Sequence, residues 1–234
     1  MATAPATTRS CTLLLALLLL GVAPFPVLAN APFVRPTLEH RLERLAPSAN
    51  PRVLHLAARA LRCAATGAQR LAVIDYSLPS TRPRLWVFDL AHGRLLFEEL
   101  VSHGRGSGDA QAQTFSNVPE SHQSSLGLFR TLDPYRGRNG YSLRLQGLEP
   151  GINDRALERA IVIHGADYVS PSFIARTGRL GRSHGCPAVR QGVIRPLIDS
   201  IKGDQYLFVY YPDAHWLRTS TFLNCPDGAR LARN

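Results

Sequence analysis

From Leu71 to Tyr211 the chain is a succession of short apolar runs, rich in β-branched and aromatic residues and separated by Gly, Asn and Pro. Runs of roughly 4–8 residues with this make-up read as strands. Leu71–Ser77 is the first and Arg84–Leu90 the second; Ala91-His92-Gly93 then turns the chain tightly into Arg94–Val101. Three strands so joined form an antiparallel meander. Leu126–Leu132 and Tyr141–Leu145 give a second pair around a Gly-rich turn, Ile161-Val162-Ile163 is a short buried run, and Leu207–Tyr211 is a closing strand. The Gly- and Ser-rich stretch from Ser102 to Gln113 reads as a loop that continues to Gln123. A chain patterned this way folds as a mainly β core.

Helices are few and short. Thr37–Leu45 puts Leu38, Leu42 and Leu45 on one face. Asn50-Pro51 opens a second helix, with Asn as cap and Pro at the first position, and Gly67 stops it. A short helix is expected from Asn153-Asp154-Arg155, and another over Val193–Lys202 ended by Gly203. The residues after Pro212 read as an irregular tail.

The N-terminus carries an export signal. Leu13–Val22 is a short, almost pure Leu core behind the single charge of Arg9, and Val27-Leu28-Ala29 suits cleavage after Ala29. The apolar core is short for a span of about 20 residues, and Pro24 and Pro26 break it, so no stable membrane insertion is expected after cleavage. The organisation expected is a signal peptide over 1–29, a linker and N-terminal helices over 30–67, a catalytic domain over 68–213 and a tail over 214–234. Cys11 leaves with the leader. Export permits Cys63 and Cys225 to pair, the alternative being two unpaired buried thiols. The net charge of +10 favours acidic partners; with no nucleic-acid motif and an export signal, nucleic acid is not expected among them.

The chemistry gathers between Ile161 and Val189. The Ile161 run stops at His164-Gly165, and Ser183-His184-Gly185 leads into Cys186-Pro187. A His at a strand end and a Cys on a Gly-Cys-Pro turn are the minimum for thiolate catalysis: an ordinary thiol, with a pKa of about 8.5, is protonated at neutral pH and needs a base or a cation beside it. Five arginines (Arg176, Arg179, Arg182, Arg190, Arg195) and no Asp or Glu lie between Tyr168 and Ile198. Such a patch is expected to depress the thiol pKa and attract carboxylates. Arg182, four residues before the Cys, is the substrate-binding candidate. His103, His122, His164, His184 and Cys186 lack metal-ligand spacings, so neither metal nor cofactor is expected.

His-Gly, a spacer, then Ser-His-Gly-Cys resembles the active-site pattern of the L,D-transpeptidases, the YkuD-type cysteine enzymes that cross-link peptidoglycan. Here Cys186 lies 22 positions after His164, and the Cys is followed by Pro187-Ala188-Val189, which resembles a Gly-Cys-Pro branch of that family. The likeness extends over about Leu71–Pro212, including Ser102-His103-Gly104-Arg105 and Ser121–Gly127. It implies a β-sandwich or barrel-like core, peptidoglycan stem peptides as partners, Cys186 as nucleophile and His164 as base. The Gly165 carbonyl is then expected to orient the imidazole. Gly185 and Cys186 N–H groups are natural oxyanion donors, Ser183 and His184 supporting the loop. The function so implied is transpeptidation through a cysteine thioester. The alternatives are a carboxypeptidase or trimming hydrolase on the same Cys/His pair, and a wall-binding module without catalysis, which the intact pair disfavours. Papain-like peptidases run Cys before His; here the order is reversed.

Overall fold

The computed structural model describes residues 1–4, 36–64 and 67–226. The leader core and the cleavage point after Ala29 lie outside the described residues. Residues from Pro36 onward form one unit around a single eight-stranded sheet ordered β3-β2-β1-β8-β4-β5-β6-β7. The strands are β1 Arg70–Asp75, β2 Leu85–Asp89, β3 Arg94–Glu99, β4 Gly127–Gly137, β5 Gly140–Gly147, β6 Val162–Gly165, β7 Ala188–Val189 and β8 Tyr206–Tyr210. The meander β1-β2-β3 is antiparallel, and β8 returns to the middle of the sheet, parallel to β1 and antiparallel to β4.

The sheet is barrel-like because its two ends meet. Just beyond β3, Ser102 bridges Ala188 of β7, its N–H donating to the Ala188 carbonyl at 2.8 Å. The next residues run on alongside the stretch before Cys186: Ser183 N–H donates to His103 O at 3.0 Å and Arg105 N–H to Ser183 O at 2.8 Å. These bridges nearly close the sheet.

Two helices precede the sheet, α1 Leu38–Leu45 and α2 Pro51–Cys63. Asn50 caps α2 as its sequence predicts, its side chain accepting from Arg52 N–H at 3.0 Å with Pro51 at the first position. The apolar stripe Val53, Leu54, Ala57, Ala58 and Leu61 is buried, and α2 packs on β1 and β8. Cys63 at its end is disulfide-bonded to Cys225, with Cα atoms 6.1 Å apart.

Two expectations need correcting, and one helix is added. Residues 151–160 form consecutive turns instead of a helix, because Asn153 spends its side chain on the sheet, donating to Leu126 O and Leu128 O and accepting from Glu149 N–H. The stretch Pro171–Thr177, unassigned from sequence, is a helix, α3, capped by Ser170 and ended by Gly178. The helix expected over Val193–Lys202 is α4, Gln191–Ile201. The described part of the tail, to residue 226, is not wholly irregular: Asp213 caps a helix, α5 Ala214–Thr219. Trp216 of α5 is buried beside Phe208 and Tyr210, and its indole N–H donates to Glu149 Oε2 at 3.0 Å. Burying that indole with a partner for its N–H ties the tail to the sheet.

A buried polar cluster stands behind the closure. Arg84 donates to Val101 O and Leu78 O, and its Nη2 lies 2.8 Å from His103 Nδ1. An Arg can only donate, so Nδ1 accepts and the His103 proton sits on Nε2, 3.3 Å from Gly108 O. His103 is fully buried; burial first, then the Arg84 charge, pulls its pKa down to about 4. Unfolded, this imidazole titrates near 6.5. Below that pH the unfolded chain takes up a proton that the folded chain refuses until about pH 4. Stability from His103 is therefore complete above pH 6.5 and falls as pH drops, by about 2 kcal/mol at pH 5. Urea midpoints at pH 7 and pH 5 should converge more closely in His103→Asn than in the wild type; equal losses in both proteins would assign the acid lability to other groups.

Candidate active site

β6 and β7 bring the sequence candidates together. They pair in parallel, His164 opposite Ala188 and Gly165 opposite Val189, and His164 N–H donates to Pro187 O at 3.3 Å. The base candidate therefore stands two register positions from the nucleophile candidate on the neighbouring chain segment. His164 Nδ1 lies 3.0 Å from Gly165 O. A carbonyl only accepts, so Nδ1 carries the proton and Nε2 keeps its lone pair. His164 is buried; burial lowers its pKa, opposed by the Gly165 carbonyl, and keeps the ring neutral at neutral pH.

The Ser183–Cys186 turn is held by Ser183, which is buried. Its hydroxyl donates to Cys186 O at 2.6 Å and accepts from Gly185 N–H at 3.0 Å. Ser183 thus builds the turn, and of the two expected oxyanion donors Gly185 N–H is already engaged, leaving Cys186 N–H as the candidate. Gly185 adopts φ +120°, and a Cβ there would lie 2.8 Å from Gln123 O; the position admits glycine alone without strain. Ser124 crosses behind, accepting from Gly104 N–H and donating to Gly185 O, both at 3.0 Å.

Cys186 is a free, buried cysteine. Its thiol donates to Ala160 O at 3.7 Å. Burial pushes its pKa up, and Val162 N–H and then the Arg159 guanidinium pull partly the other way. The expected depression by the arginine-rich stretch is therefore overturned, and the contacts say why. Arg182 donates to Gly108 O and Asp109. Arg179 donates to Leu180 O, and Arg190 is forked onto Glu99. Arg176 lies over the Phe173 ring and Arg195 over that of Tyr141. Charges that are neighbours in sequence are thus engaged in local contacts, with Arg179 and Arg182 sharing Asp109. The structure thus brings Arg182 to the loop of residues 105–113 as a clamp.

His184 is exposed, its ring centroid 4.5 Å from that of His122. Burial, then Arg105, His122 and Arg138, lower its pKa, and Glu120 opposes them. Replacing it by Ala should leave Cys186 chemistry within severalfold of wild type, since its contacts lie on His122 and not on the thiol; acylation rates measure this directly.

Sequence reasoning missed Arg159. It precedes the strand carrying His164 and reaches across to residues 116–125, donating to Ser116 O, Ser125 Oγ and Gln123 O at 2.6 Å each and to Ser121 Oγ at 3.3 Å. Its sequence neighbours gave no signal, because each of these four partners lies more than 30 residues away. Among the described residues no group of three or more His, Cys, Asp or Glu side chains could hold a metal ion, and no described helix is long and apolar enough to cross a membrane.

The model of the L,D-transpeptidase catalytic domain matches residues 45–210, and the chain belongs to that family. Solved structures similar to it include an L,D-transpeptidase from Mycobacterium smegmatis (16% identity, TM-score 0.39, covering 62% of this chain and 60% of that one). Another is an L,D-transpeptidase from Xylanimonas cellulosilytica (16% identity, TM-score 0.38, covering 62% of each chain). A third is the helical cell shape determining protein Pgp2 from Campylobacter jejuni (11% identity, TM-score 0.39, covering 62% of this chain and 48% of that one). The match thus spans about 60% of the length of the first of these structures. No curated protein matches the chain.

Proposed function

We propose that this protein is an exported L,D-transpeptidase that joins peptidoglycan stem peptides through a thioester on Cys186. The observation that carries the reading is the His164 tautomer: with Nδ1–H bound to Gly165 O, Nε2 is a neutral base on the strand beside a Gly-Cys turn. Burial favours the uncharged form of both partners, raising the thiol and lowering the imidazole. The resting site is then a thiol and a neutral imidazole, not a thiolate–imidazolium pair.

In the first half-reaction His164 Nε2 takes the Sγ proton as Sγ attacks a donor-stem carbonyl. Cys186 N–H stabilises the resulting oxyanion. The tetrahedral intermediate collapses, the peptide C–N bond breaks, and His164 returns the proton to the departing amine of the terminal residue. In the second half-reaction an amine of another stem gives its proton to His164 and attacks the thioester, and Cys186 leaves as the thiol. Water in place of the amine gives a trimmed stem. The leader over 1–29 supports a periplasmic or envelope location. Purified stem peptides incubated with the protein should yield a linked dimer by mass. Trimmed stems alone would make it a hydrolase, and unchanged stems would overturn the proposal.

A further inference from the structure

Arg159 is built against the Gly-Cys turn. A Cβ on Gly185 would lie 3.4 Å from Arg159 Nη2, so the guanidinium sits beside the turn that carries Cys186. The next residue, Ala160, supplies the carbonyl on which the thiol rests. Arg159 thus lies beside the turn that carries Sγ and next in sequence to the residue that accepts from it. Its terminal nitrogens are held by two carbonyls and two hydroxyls, all neutral. Its Nε is buried with no hydrogen-bond partner. No carboxylate neutralises the charge among these contacts, whereas Arg182, Arg190 and Arg155 are each paired with an acid. A desolvated cation without a counter-ion is costly unless something negative forms beside it.

We propose that Arg159 is the positioning residue that makes the Cys186 thiolate accessible, its guanidinium supplying the counter-charge when His164 removes the proton. The same four hydrogen bonds fix residues 116–125 as one wall of the site. The attraction is mutual: the thiolate favours the guanidinium cation as the cation favours the thiolate. The inference rests on Cys186 being the nucleophile, but its test requires only that the thiol ionise.

The test is the pH profile of Cys186 alkylation by iodoacetamide, followed by intact mass and located by peptide mapping. Arg159→Gln should shift the midpoint up by about one unit, a roughly tenfold slower reaction at pH 7. Arg159→Lys, which keeps the charge but not the fork, should stay within a few tenths of wild type. Arg155→Gln removes the same charge from the exposed Glu158 pair and should not move the midpoint. A wild-type midpoint in folded Arg159→Gln overturns the proposal, as does a full-unit rise in Arg159→Lys or an equal rise in Arg155→Gln. If Arg159→Gln fails to fold, the lysine and Arg155 variants still decide. Failure of the stem-peptide assay with a shifted midpoint would overturn the transpeptidase reading alone.

Discussion

Cys186→Ala should abolish cross-linking and the one-drug mass increase expected when a carbapenem acylates the thiol. His164→Ala should slow acylation by about 10² or more, the usual contribution of a positioned general base. The pH dependence is the sharper part. Burial holds the Cys186 pKa above its ordinary value, so without the imidazole the thiolate is scarce at neutral pH. The deficit of His164→Ala should shrink as pH rises through the thiol's own titration, because thiolate then forms unaided. A deficit that stayed constant with pH would mean His164 does more than remove the proton. If His184→Ala proved as damaging, and high pH rescued only that variant, the two histidines' roles would be exchanged.

Opening the Cys63–Cys225 disulfide should be the largest change in stability. The bridge joins residues 162 apart in sequence, and closing so long a loop restricts the unfolded chain by about 5 kcal/mol in the chain-entropy model. Cys225→Ser, or reduction of the wild type, should lower the urea midpoint by a large fraction of the total. Tail packing adds to the effect, since Trp216 and the residues near Cys225 lie against the same core. An unchanged midpoint would mean that this packing alone holds the tail, and alkylation of both thiols without reduction would mean that no bridge forms.

Most strands were legible because burial on both faces writes itself as continuous apolar runs, as in β1, β2 and β8. Asn50-Pro51 marked its helix by local chemistry alone. Ser170-Pro171 before α3, with Gly178 after it, carries the same kind of signal and could have been read. Two-residue β7 could not: Ala188-Val189 is a strand only because β6 and Ser102 bond to it from either side. Within the site, the positions of His164 and Cys186 were legible as a spacing. The electrostatics were not, since an arginine's effect depends on what it has already bonded. Counting charges along the chain pointed to Arg182, which is spent on Asp109, and passed over Arg159, whose partners come from residues 116–125.

The bond from Ser102 to Ala188 links residues 86 positions apart and lies two residues from the thiol. Contacts of such separation form late, after much loop entropy has been lost. A partly folded chain can hold α2 on β1, and even the meander, without the segment that sets Cys186 against its turn. Chemical competence then arrives together with completion of the fold. A chain that has not made the last join lacks the assembled turn, and a variant that loosens the join should lose Cys186 reactivity before it unfolds.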